Sequence, residues 1–125
     1  MTVKLRPKFI NLLQIRMPMT AWVSIGHRLS GVLLVLSIPF WLYLFDLSLV
    51  SEAGFAQSIA LLHSPLVLFF VLIIFWSISH HLFAGIRFLL LDIDIGLSKE
   101  SANRSAFGAM VAGIILMLIL LGLLP

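Results

Sequence analysis

The chain has 125 residues, of which 62% are hydrophobic and only 10% are charged, with a formal net charge of +3. Soluble domains are close to half apolar and a quarter charged, so this composition excludes a water-soluble globular protein and leaves one membrane domain over residues 1–125. The chain contains no Cys, which excludes disulfides, iron–sulfur ligation and thiolate chemistry within it.

Three long apolar stretches predict an all-α integral membrane protein with transmembrane helices at residues 22–45, 65–91 and 105–124. Each stretch reaches the ~20 residues that a helix needs to cross a bilayer. None alternates strictly between polar and apolar residues, which argues against the strands of a membrane barrel. Pro39 predicts a kink in the first helix, and residues 46–64 and 92–104 are predicted to be loops.

Charge placement predicts the topology. Residues 1–21 form a polar N-terminal segment, and every Lys and Arg falls on the same side of the predicted membrane as that segment. These basic residues are Lys4, Arg6, Lys8, Arg16, Arg28, Arg87, Lys99 and Arg104. The positive-inside rule therefore predicts a cytoplasmic N-terminus in a bacterial inner membrane, or a matrix-facing N-terminus if the source is mitochondrial.

The first helix carries a polar stripe near its N-terminal end. Ser24, His27, Arg28 and Gly31 follow the spacing i, i+3, i+4, i+7 and therefore lie on one face. Ionisable residues within a membrane span are costly and are candidates for function. A hydroxyl, an imidazole and a guanidinium together suit an anionic or carbonyl-bearing ligand. The alternative is an interfacial anchor in which Arg28 reaches lipid phosphate.

The second helix carries His80 and His81. His81 lies about 16 Å along the helix from Asp92, close to mid-bilayer. It shares a face with Gly85, which is expected to leave a gap for a planar macrocycle bound to the imidazole. His80 points elsewhere and has no comparable glycine on its own helix. His81 is therefore predicted to ligate a haem iron, the alternative being a hydrogen bond between helices.

Four further expectations follow from the residues on these helices. His27 is expected to lie about 6 Å shallower than His81, which suits a haem propionate and not the same iron. The second axial ligand is then expected from another subunit. Arg87 is expected to extend its side chain toward the membrane surface. In the third helix, small residues four apart predict close helix approach, namely Gly108 with Ala112 and Ala109 with Gly113.

Two motifs resemble the cytochrome b membrane-anchor subunits of succinate dehydrogenase, respiratory Complex II. Arg6-Pro7, Pro18 and the sequence SIGHRLSG at residues 24–31 are similar to the family's first signature. The sequence HLFAGIR at residues 81–87, followed by Asp92, is similar to its second. The resemblance covers nearly the whole chain, with three spans in the family's order.

This resemblance implies roles for individual residues. His81 would be the axial ligand of haem b, His27 and Arg28 would lie near its propionates, and Ser24 and Arg28 would bind the head group of ubiquinone. Phe88 departs from the family pattern, because many members have a second His there, and this puts one propionate contact in doubt.

The resemblance also implies partners. A flavoprotein subunit, an iron–sulfur subunit and a second membrane anchor would complete a multi-subunit complex that passes electrons from succinate to quinone in the respiratory chain and tricarboxylic acid cycle. This chain would supply a lipid-embedded anchor with no catalytic residue for succinate oxidation, and no nucleic-acid partner is expected. A fumarate reductase anchor and a non-catalytic assembly subunit are the alternatives. A channel or transporter is disfavoured because neither inverted repeats nor broken helices are evident.

Overall fold

A computed structural model describes residues 16–124, so Lys4, Lys8 and the Arg6-Pro7 motif lie outside the described residues. The described chain forms four helices: α1 (Met19–Val50), α2 (Glu52–Leu62), α3 (Pro65–Asp92) and α4 (Lys99–Gly122). Three of them, α1, α3 and α4, are long and apolar enough to cross a membrane. The predicted all-α fold with three transmembrane helices is confirmed, while the orientation of the termini stays a prediction.

The observed helices run past the predicted spans because helical backbone continues into polar flanking sequence. α1 passes through Pro39 and through Asp46, the first charged residue after the apolar run. α4 begins at Lys99, because the Ser98 side chain caps the helix by accepting a hydrogen bond from the Ser101 backbone N–H at 3.2 Å. Its first turn also carries Glu100, whose negative charge suits a helix N-terminus.

The interval between α1 and α3 is not the predicted loop, because it contains the 11-residue helix α2. Ser51 caps α2 by accepting a hydrogen bond from the Gly54 N–H at 3.0 Å, and Glu52 lies in the first turn. Gly54 is buried against the backbone carbonyl of Leu47 in α1, so the short helix folds back onto the end of α1. The cap and the acidic first turn are sequence signals that could have identified this helix.

Small and polar side chains fill the interior of the bundle. The buried residues of α1 recur every seven positions, and they are Val23, Ser30, Ser37 and Leu44. The buried residues of α4 are Ala106, Ala109 and Gly113. Small residues let helix backbones approach closely. Large apolar residues such as Leu36 (69% exposed) and Leu66 (80% exposed) face outward, as expected for a surface in contact with lipid.

α3 occupies the centre of the bundle and contacts each of the other three helices. Gly113 of α4 packs against the α3 backbone, where an added Cβ would lie 3.4 Å from the His80 Cα. Gly108 instead has open space around the corresponding position. Of the two predicted small-residue pairs, the pair Ala109 and Gly113 therefore forms the helix contact.

Candidate functional site in the groove between α1 and α3

A groove of about 500 Å³ opens between α1 and α3 near the N-terminal half of α1. It is lined by His27, Arg28, Gly31, Val32, Val35, Leu36 and His81. Three of the predicted site residues therefore share one concave surface, although they come from two helices. Its size falls within the roughly 300–1,000 Å³ that is usual for ligand and cofactor sites.

The imidazoles of His27 and His81 stack on each other at the inner wall of the groove. Their ring centroids are 4.1 Å apart and the ring planes differ by 13°. Phe88 presents its ring edge to the His27 ring, with centroids 5.2 Å apart. The expected 6 Å difference in depth between the two histidines was therefore wrong. Depth was counted along each helix separately, whereas the packing of the helices sets their relative height.

Each imidazole lies over a glycine of the facing helix. A Cβ at Gly31 of α1 would lie 3.0 Å from His81 Cε1, and a Cβ at Gly85 of α3 would lie 3.4 Å from His27 Nε2. The expectation that Gly85 leaves an open gap beside His81 was wrong, because the His27 ring lies over Gly85. The two glycines instead allow the imidazoles to interleave between the helices.

Hydrogen bonds orient the His81 ring. Its Nδ1 lies 3.1 Å from the His27 carbonyl oxygen and 3.2 Å from the Ser30 hydroxyl. The Ser30 hydroxyl donates to the same carbonyl at 2.8 Å. A carbonyl oxygen only accepts hydrogen bonds, so the contact favours a proton on His81 Nδ1. The Nε2 atom then keeps its lone pair, which is the form of histidine that binds a metal.

Ser24 and Arg28 form a hydrogen-bonded pair one helical turn apart. Arg28 Nη2 donates to Ser24 Oγ at 3.3 Å, and Arg28 Nε donates to the Ser24 carbonyl oxygen at 3.4 Å. The guanidinium is exposed and also borders a shallower depression formed with Ile25, Leu29 and Val32. Because Arg carries five N–H donors, several stay available for a ligand at the mouth of the groove.

His80 lies about 100° around α3 from His81 and does not line the groove. It is 6% exposed, it stacks on Trp76 with ring centroids 5.2 Å apart, and its Nε2 lies 3.4 Å from the Val23 carbonyl oxygen. The glycines that accommodate it, Gly26 and Gly113, lie on α1 and α4. His80 has no glycine partner on its own helix, as expected, and its partners on the facing helices could not be identified from the spacing along α3.

Substitution of Gly26 by Val is expected to destabilise the bundle. An added Cβ would lie 2.5 Å from His80 Nε2, and the ring cannot easily retreat because it is buried against Trp76. Overpacking of this kind costs about 1–3 kcal/mol. The midpoint of thermal unfolding of the purified complex is expected to fall by several degrees. Gly122→Val is the matched control, because a Cβ there would meet nothing within 4 Å, and an equal loss in both variants would contradict the packing interpretation.

The side chain of Arg87 does not extend into open surroundings as predicted, since it is only 6% exposed in the contact between α3 and α4 near the end of the span. Its Nε donates to Ser105 Oγ at 3.1 Å, and its Nη2 donates to the Ala102 carbonyl oxygen at 3.3 Å. The guanidinium also lies 5.3 Å from the centre of the Phe88 ring. Ser105 lies on another helix, so the spacing of residues along α3 could not identify it as the partner of Arg87.

Comparison with known proteins gives consistent matches. Residues 2–121 match the family described as succinate dehydrogenase/fumarate reductase transmembrane subunit. The succinate dehydrogenase cytochrome b556 subunit of Coxiella burnetii is 34% identical over 111 residues, which cover 88% of this chain and 89% of that protein. The subunit of the same name from Paracoccus denitrificans is 30% identical over 115 residues, covering 92% and 88% of the two chains.

Proposed function

The chain belongs to the family of succinate dehydrogenase/fumarate reductase transmembrane subunits, and we propose that within this family it binds haem b and ubiquinone and passes electrons from an iron–sulfur subunit to quinone. The observation that carries the proposal is the orientation of His81. Its Nδ1 contacts the His27 carbonyl oxygen, while its ring borders a groove that is also lined by the positively charged Arg28 side chain.

The residues of the groove suit a haem. His81 would supply the axial imidazole through Nε2, and the hydrogen bond at Nδ1 is the outer-shell contact that usually fixes a ligand histidine. Arg28 would neutralise and hydrogen-bond a propionate at the mouth of the groove, and His27 would hydrogen-bond a propionate that reaches the inner wall. The apolar residues Val32, Val35 and Leu36 would cover the macrocycle. When bound, haem supplies a one-electron carrier.

A partner subunit would supply the second axial ligand. The rings of His27 and His81 stack face to face, so these two imidazoles do not bracket a space in which both could ligate one iron. The geometry therefore supports one ligand from this chain and favours a haem shared between two membrane anchors.

Ubiquinone would bind where Ser24 and Arg28 meet. The hydroxyl and the guanidinium are 3.3 Å apart, so both can donate hydrogen bonds to one carbonyl oxygen of a quinone ring. Arg28 would also stabilise the negative charge that develops on that oxygen during reduction. Because Arg28 lies beside the groove, a quinone bound to it would be close to the haem.

The complex would contain the flavoprotein and iron–sulfur subunits that oxidise succinate, together with a second anchor. With the basic residues on the cytoplasmic side of a bacterial inner membrane, Ser24 and Arg28 would face those soluble subunits. A fumarate reductase anchor would have the same groove with reverse electron flow, but both cited relatives are named as succinate dehydrogenase subunits. Reduced-minus-oxidised spectra of the purified complex test the proposal, because a non-catalytic anchor would lack a b-type band.

The Ser30 hydroxyl is expected to position the haem ligand. Ser30→Ala removes a polar contact to His81 Nδ1, and loss of an outer-shell contact typically weakens metal binding by about 10–100-fold. Haem content per complex, measured after dilution into detergent, is expected to fall. Ser37→Ala is the matched control, because Ser37 is also buried and donates to the Leu34 carbonyl oxygen at 2.7 Å. Equal haem retention in both variants would contradict this role.

A further inference from the structure

A second groove lies between the C-terminal half of α3 and the N-terminal half of α4, on a different side of α3 from the histidine pair. It has a volume of about 270 Å³ and contains the Arg87 side chain. The polar residues that line it are Arg87, Ser101 and Ser105. The remaining lining residues are Gly96, Gly108 and Ala112 together with large apolar residues such as Phe83, Ile86 and Leu90.

The positive charge of Arg87 is not balanced within this groove. Both of its hydrogen-bond partners are neutral, since they are the Ser105 hydroxyl and the Ala102 carbonyl. No acidic residue is among the described residues that line the groove. A guanidinium has five N–H donors, and these two contacts use two of them. A buried cation without an anion is costly in a membrane protein, so the site favours an anionic group.

The rest of the groove suits an apolar chain. Along α4 the lining runs from Ser101 to Ala112, a rise of roughly 16 Å. One leaflet of the hydrocarbon core is about 15 Å thick. Gly108 faces the groove with nothing within 4 Å of the position where its Cβ would be. The groove therefore combines an anion-binding group with an apolar channel about one leaflet long.

We propose that this groove binds an anionic phospholipid, with its phosphate on Arg87 and Ser105 and one acyl chain along Gly108 and Ala112. Arg87 lies about 7 Å along α3 from Asp92, at the end of the span, which is the level at which a phosphate group meets the hydrocarbon. A bidentate contact between Arg and phosphate is stronger than a neutral hydrogen bond. The site does not depend on haem or quinone, so it stands or falls independently of the proposed function.

Two variants test the proposal by different routes. Arg87→Gln removes the charge while keeping hydrogen-bonding capacity, and Gly108→Leu fills the channel while leaving the hydrogen bonds of Arg87 intact. Arg104→Gln is the control, because Arg104 is an exposed arginine on the same turns of α4. The complex with its partner subunits is purified, depleted of lipid in detergent and titrated with phosphatidylglycerol, and native mass spectrometry counts the bound lipid.

The wild-type complex and Arg104→Gln are expected to retain one phosphatidylglycerol. Arg87→Gln is expected to bind it at least about tenfold more weakly, given the strength of charged hydrogen bonds, and Gly108→Leu is expected to weaken binding because the Leu side chain occupies the acyl-chain channel. Phosphatidylcholine is expected to bind more weakly than phosphatidylglycerol, and inorganic phosphate is not expected to displace the lipid. Equal lipid retention in Arg87→Gln, Gly108→Leu and wild type would overturn the proposal. The proposal would also be overturned if the wild-type complex carried no lipid and Arg87→Gln lost a partner subunit. That result would indicate that a carboxylate of the partner subunit pairs with Arg87.

Discussion

Replacement of His81 by Leu is expected to abolish the b-type absorption band of the purified complex. Leu is of similar volume and is tolerated by the membrane, but it has no lone pair to offer an iron. Removal of an outer-shell partner alone weakens metal binding by about 10–100-fold. Loss of the ligand itself should exceed this, so haem should be absent after purification. Pyridine haemochrome analysis per mole of complex measures the effect.

The neighbouring histidine provides the matched control. His80→Phe keeps an aromatic ring on Trp76 and should leave the haem content unchanged, because His80 is buried away from the groove. Any loss of stability by overpacking near Gly26 is monitored by thermal unfolding of the same sample. An unchanged spectrum in His81→Leu, or loss of haem in His80→Phe with a normal unfolding midpoint, would show that the ligand was assigned to the wrong residue.

Substitution of Arg28 by Leu is expected to reduce quinone reduction by the complex by about 100- to 1,000-fold, the usual effect of removing a donor that stabilises developing negative charge. Ser24→Ala removes the second donor and should act in the same direction. Succinate oxidation measured with an artificial electron acceptor should stay at the wild-type rate. That contrast separates a defect at the quinone site from failure to assemble.

Two further variants refine this experiment. Arg28→Lys keeps the charge but loses the planar guanidinium, so it should retain part of the activity if charge is important. Ser48→Ala is the control for Ser24→Ala. Ser48 lies near the other end of α1, and its hydroxyl donates to the Phe45 backbone carbonyl. Wild-type quinone reduction in both Ser24→Ala and Arg28→Leu would refute the assignment of the site.

The sequence correctly predicted the features that are determined within a single helix. Hydropathy identified α1, α3 and α4, and the i, i+4 spacing correctly paired Ser24 with Arg28. What it could not predict depends on how two helices are aligned. The stack of His27 on His81 requires the glycine of each helix to face the histidine of the other, and no periodicity within one helix contains that information.

The same reason explains the missed partners of His80 and Arg87. Both side chains were assessed by their neighbours on α3, whereas Gly26 of α1 accommodates the first and Ser105 of α4 binds the second. The missed helix α2 is a different case, because its cap at Ser51 was visible in the sequence. The interval was predicted to be a loop because it is not an apolar run long enough to span a bilayer, and this criterion does not detect a short capped helix.

The length of α1 has a consequence for the whole bundle. Its 32 residues extend for roughly 48 Å, whereas the hydrocarbon core of a bilayer is about 30 Å thick. The uncharged run at residues 29–45 accounts for about 25 Å, so Arg28 and Asp46 are expected to lie at the two hydrocarbon boundaries. Sliding the helix in either direction would then draw one of these charges into lipid. Hydrophobic mismatch with a thicker or thinner membrane is therefore expected to be relieved by helix tilt or bilayer deformation, and not by sliding of α1.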